Sequence, residues 1–173
     1  TNIMQTSSIK LYSLNYNEAK TYMTAALFIL GNIALPQICH LVPQGGMILL
    51  PIYFFTLIGA YKYGWKVGLL TAVLSPVINH LLFGMPAAAV LVPILAKSTI
   101  LAVTAGYVAS HSRKVTLSLI AAVVFAYQAV GGMFEWAWTG SVMAAMQDFR
   151  LGIPGMLLQI VGGYLFIKYL LKK

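Results

Sequence analysis

The chain has 173 residues, 60% of them hydrophobic and only 8% charged, where a soluble domain carries about a quarter charged residues. So little charge, with the apolar residues gathered in long runs, excludes a soluble globule and makes lipid the solvent. The formal net charge of +8 falls in short clusters between those runs rather than in one patch. That excludes a nucleic-acid interface and reads as the topology signal of a plasma- or inner-membrane protein.

Thr1 to Asn17 is polar, with no apolar core ahead of a small-residue cleavage site, so residues 1–18 read as a cytoplasmic or interfacial lead. A spanning helix takes about 20 mainly apolar residues. The first predicted span runs from Ala19 to Leu35 and ends at Pro36; a loop through Gln37, His40, Pro43, Gly45 and Gly46 follows. The second runs from Met47 to Tyr61 and the third from Trp65 to Phe83. Gly84-Met85-Pro86 is a tight turn whose proline is placed to start a helix. The fourth span covers Ala87 to Ala109, the fifth Val115 to Trp138 and the sixth Ile153 to Leu171. The expected fold is all-α: an integral membrane bundle of six transmembrane helices, one domain over residues 19–173. Cys39 is the only cysteine, so an intrachain disulfide is excluded.

With six spans, Lys10, Lys20, Lys62, Lys66, Arg113, Lys114, Lys168, Lys172 and Lys173 all fall on one side, and Arg150, beside Asp148, on the other. Positive-inside bias then places both termini in the cytoplasm. Five or seven spans scatter the basic residues over both faces. Small residues recur every fourth position at Gly64, Gly68, Ala72 and Pro76, and again at Ser98, Ala102, Gly106 and Ser110. Such stripes let helices approach closely in lipid, inside the bundle or against a partner.

An ionisable group inside the bilayer costs about 2.5–3.5 kcal/mol on insertion scales, so each one needs a reason. Lys97 lies about 16 Å into the fourth span at the helical rise, with no acidic residue one turn away in its own helix. It reads as a cation capped by carbonyls of another helix or as the floor of a polar cavity suited to a carboxylate, phosphate or carbonyl. Gln128 and Glu135 share one face of the fifth span, with Gly131 and Gly132 between them as space for a flat ligand. Trp138 continues that face and reads as lining, while Trp136 fits an interfacial belt equally well. Ser75, Asn79 and His80 on the third span, Gln159 on the sixth, Asn32 on the first, and Gln37 and His40 in the following loop all fall in the outer half. The candidate substrate-binding set is therefore His40, Asn79, His80, Lys97, Gln128, Glu135, Trp138 and Gln159, around a polar pocket opening outward.

Catalytic signatures are absent: there is no HExxH, no GxSxG, no phosphate-cradling glycine loop and no intramembrane aspartate pair. Neither an enzymatic activity nor a cofactor nor a metal is expected.

In length, span count and topology the chain resembles the substrate-binding S components of energy-coupling factor transporters. The likeness rests also on residues 64–106, where a glycine-spaced third span leads through LSPVINHLLFGMP into the fourth, and on GIPGMLLQ at 152–159. The resemblance implies a small-molecule ligand, a vitamin or vitamin precursor, held near the outer surface between the last three helices, with residues 37–46 as a lid. It implies partners too: a transmembrane scaffold subunit that the first three helices dock on, and two cytoplasmic ATPases. The first span, TAALFILGNIA, lacks the Ala-x-x-x-Ala of members that share a scaffold, which leaves a shared, a dedicated or no scaffold open. Indole and phenol faces, amides and Glu135 favour a small, polar, aromatic ligand such as a pyrimidine, pteridine or pyridine derivative; a cobalamin-type ligand is less favoured. The competing readings are a membrane-embedded assembly subunit, with Lys97 paired to a partner helix, and an intramembrane enzyme acting on lipid.

Overall fold

Wherever the sequence stays apolar for about 20 residues, the chain in the computed structural model is helical, and among the described residues, 10–171, there is no strand. Residues 1–9 of the predicted lead, and Lys172 and Lys173 of the basic set, lie outside the described residues. Four helices are long and apolar enough to cross a membrane: α1 (Ala19–Cys39), α4 (Trp65–Phe83), α5 (Ala88–Ser112) and α6 (Leu117–Thr139). Between 28% and 39% of the most apolar window of each is buried within the chain. The rest faces outward, as at Met23, Leu27 and Leu81, which a membrane protein tolerates and a soluble monomer does not.

The predicted second span is broken. A five-residue α2 (Gly45–Leu49) is followed by a 3-10 turn over Pro51–Tyr53 and by α3 (Phe54–Tyr63). The break falls at Leu50, whose φ of 48° is left-handed and uncommon for a side chain branched at Cγ. Pro51 opens the next turn, where it needs no N–H partner. Two short helices, α7 (Val142–Ala145) and α8 (Gln147–Leu151), bridge α6 to the last apolar helix, Ile153–Tyr169. That helix starts as α9 (Ile153–Leu157), widens to π geometry at Leu158–Gly162, narrows as α10 (Gly163–Leu165) and widens again at Phe166–Leu170.

The first helix also departs from expectation, passing through Pro36 to Cys39. A proline at 36 has no N–H for the carbonyl of Asn32 one turn back. Asn79 of α4 supplies one instead, its Nδ2 donating to Asn32 O at 3.0 Å. The same Asn32 side chain ties three segments together: Nδ2 donates to Thr56 Oγ1 and Ser75 Oγ, each at 3.1 Å, and Oδ1 accepts from the Phe55 N–H at 3.1 Å.

Apart from the exposed Ser110, the small-residue stripes are buried inside the chain. A Cβ placed on Gly68 would stand 2.3 Å from Ala60 Cβ and 3.2 Å from Ala102 Cβ, so α3, α4 and α5 meet there at a distance only glycine permits.

The two ends of the helix array differ in charge. At one end residues 10–15 lie along the end of α3, with Tyr12 N–H donating to Lys62 O at 2.8 Å and Leu14 N–H to Tyr63 O at 3.0 Å. Lys62 Nζ donates to Lys10 O, Lys66 Nζ to Asn15 Oδ1 at 2.6 Å, and Tyr61 OH to Lys114 O at 2.5 Å. With Lys20 Nζ 4.8 Å from the Tyr12 ring centroid, Lys10, Lys20, Lys62, Lys66 and Lys114 are gathered at one end. The other end carries the turn after α1, the Gly84–Ala87 turn and α8, and a hollow lies between them.

Candidate functional site

That hollow has a volume of about 530 Å³, within the range of small-molecule sites. Residues 42–47 cover it on one side and the turn 85–87 on another, with Pro51 and Ile52 beneath. One face of α5, with Val90, Pro93, Ile94 and Lys97 in successive turns, forms a wall, and Glu135 of α6 and Asp148 of α8 line the hollow beside Lys97.

The Lys97 ammonium sits between two carboxylates, 2.7 Å from Glu135 Oε2 and 2.9 Å from Asp148 Oδ2, with side chains 3%, 15% and 11% exposed respectively. Two of the chain's three acidic residues are committed here. Lys97 reaches this position because Gly131 lets its stem pass: a Cβ on Gly131 would lie 2.5 Å from Lys97 Cγ. The expected ligand space at Gly131 is thus occupied by the lysine itself. Lys97 is neither capped by carbonyls nor left facing a partner helix, because its counter-charges come from α6 and α8. One cation against two carboxylates leaves a formal negative surplus, which reverses the expectation of an anion-seeking floor.

Four of the eight sequence candidates line the hollow: His40, Asn79, Lys97 and Glu135. His80 stands behind the wall. Its Nδ1 donates to Pro86 O at 2.8 Å, since a carbonyl can only accept, and so pins the turn that forms the rim. Gln128 and Glu135 share a helix face in sequence, but two turns of separation put them in different layers. Gln128 and Gln159 form a buried relay below the hollow. Gln128 Nε2 donates to Tyr127 OH at 2.9 Å, Tyr127 OH to Gln159 Oε1 at 2.6 Å, and Gln159 Nε2 to Leu50 O at 3.3 Å. This chain of donors holds the carbonyl at the break between α2 and α3, and Tyr53 of the cavity floor packs on Tyr127 with ring centroids 5.5 Å apart. Trp138 is elsewhere: it is 57% exposed and stacked on Phe134, facing outward as a belt residue does.

No family model, curated protein or solved structure matches the chain.

The site's chemistry therefore stands on its own geometry. Sequence reasoning missed Asp148, because it lies outside every apolar run, and Tyr53, because it lies on the broken helix. A signal for Asp148 was present. Lys97 has no acid within reach on its own helix, and only Glu135 and Asp148 share its half of the chain, so intramembrane charge pairing names both. Among the described residues no cluster of three His, Cys, Asp or Glu side chains has the arrangement to hold a metal ion. What the hollow offers is a mostly apolar enclosure with Asn79, Lys97, Glu135 and Asp148 in its lining, an arrangement for holding a polar organic molecule of modest size.

Proposed function

We propose that this chain is a substrate-binding membrane subunit that captures a small water-soluble solute, a vitamin or vitamin precursor, in the hollow walled by Lys97, Glu135 and Asp148. In this reading it spans the plasma or inner membrane six times with both termini in the cytoplasm, and Ile153–Tyr169 and the broken α2–α3 segment supply the two spans beyond the four long helices. The lysine-rich end faces the cytoplasm by the positive-inside rule, and the hollow faces outward. The chain binds its solute without altering it and passes it to a separate scaffold driven by two ATPases, as the resemblance to S components implies.

The observation that carries the reading is the placement of the charge. A buried ion pair contributes little net stability, because desolvation offsets its attraction. Three ionised side chains in a chain otherwise almost free of intramembrane charge therefore need a use. They stand in the wall of a hollow of about 530 Å³ rather than in closed packing, and an open polar hollow holds water or solute.

The test is access from the aqueous side. In a Cys39→Ala background, Ile94→Cys places one thiol in the wall of the hollow. A charged, water-soluble methanethiosulfonate added to intact cells is expected to modify it. A thiol that stays unreactive while the protein is folded overturns the reading.

A further inference from the structure

We infer that the solute is an organic cation, a protonated amine, amidinium or amino-heterocycle, recognised by Glu135, Asp148 and Asn79 as acceptors; this rests on the solute-binding reading above. The formal charge at the site is one negative in excess, since one ammonium serves two carboxylates. Each carboxylate meets Lys97 through a single oxygen, and the second oxygen of each accepts no hydrogen bond from the described residues.

Asn79 adds an independent indication. Its Nδ2 must be the nitrogen, because the two atoms it meets, Asn32 O at 3.0 Å and Ser75 O at 2.9 Å, are both acceptors. That leaves Oδ1 as a buried acceptor without a partner, on a residue 1% exposed that lines the hollow. A buried polar atom left unpaired costs stability, so a donor from the ligand is what completes it. The uncommitted oxygens of Glu135, Asp148 and Asn79 all accept, whereas Lys97 has two of its three N–H donors on carboxylates and keeps one. Hydrogen-bond polarity and net charge thus agree.

A bare metal ion fits poorly. Hard cations gather six or more oxygens, and here the two carboxylates already hold an ammonium. Apolar walls at Pro51, Ile52, Val90 and Ile94 suit instead the carbon frame of an organic ion.

Three isosteric probes separate charge from shape: benzamidinium, benzamide and benzoate, titrated calorimetrically against the protein in lipid nanodiscs. Benzamidinium is expected to bind at least tenfold more tightly than either of the others. Glu135→Gln should weaken it tenfold or more without weakening benzoate. Gln44→Lys, at the rim on an exposed side chain with no internal hydrogen bond, should weaken it in the same sense and keeps the test valid if Glu135→Gln misfolds. Benzoate or benzamide binding as tightly as benzamidinium overturns the cation preference and leaves solute capture standing. Benzamidinium binding indifferent to both substitutions overturns the placement at these acceptors. A folded protein that binds none of the three overturns both readings.

Discussion

Lys97 is the residue on which the site turns, and its environment sets a strong expectation for stability. Removing one partner of a buried charge cluster leaves the others uncompensated, at a cost of about 3–5 kcal/mol. Lys97→Met keeps the length of the stem beside Gly131 but leaves Glu135 and Asp148 facing each other. It should lower stability by about that amount in reversible unfolding in mixed micelles. The triple change Lys97→Met, Glu135→Gln, Asp148→Asn removes the charge altogether and should recover most of the loss. A triple variant no more stable than Lys97→Met contradicts the ion triad. Lys97 and Glu135 were legible in the sequence because a charge inside an apolar run stands out. Asp148 was legible only as an acid free to pair with Lys97, which it meets from 51 positions away across a tertiary contact. Local spacing carries no trace of such a pair.

At the scale of elements, two of the places where the helices depart from their sequence pattern, Pro36 and Leu50, border the site. The helix Trp65–Phe83 was legible to the residue because glycines, at 64 and 84, stop it at both ends. The first and second spans were not. Pro36 was read as a terminator, but the missing N–H is replaced by Asn79 from another helix, which sequence periodicity cannot reveal. Leu50 was read as helical interior, but it takes a left-handed turn stabilised by the distant Gln159 amide on its carbonyl. The Pro36–Asn79 relation gives a two-variant test. Asn79→Ala should cost about 1–3 kcal/mol, largely by leaving Asn32 O unpaired. In a Pro36→Ala background the backbone N–H at 36 can serve that carbonyl, so the same substitution should cost measurably less. Equal costs in the two backgrounds, from a double-mutant cycle, contradict the replacement.

Over the whole molecule, an all-helical, membrane-type fold was legible because composition alone rules out water as the solvent for this surface. The segregation of the lysines was legible too. Its structural expression is the knot around Tyr12, Lys62 and Lys114 at the end away from the hollow. The proposed topology is measurable. In a Cys39→Ala background, an impermeant maleimide applied to intact cells should label Gln44→Cys at the rim. Lys114→Cys should be labelled only after the membrane is opened. The reverse pattern places the hollow in the cytoplasm and removes solute capture from outside.

The most direct measurement is the mass of what accompanies the protein. Purified in mild detergent from cells grown in rich medium and released in native mass spectrometry, the chain should carry a single non-lipid adduct of a few hundred daltons. That adduct should be lost on Glu135→Gln or Asp148→Asn. A folded protein that carries only lipid, or an adduct indifferent to both substitutions, contradicts the account.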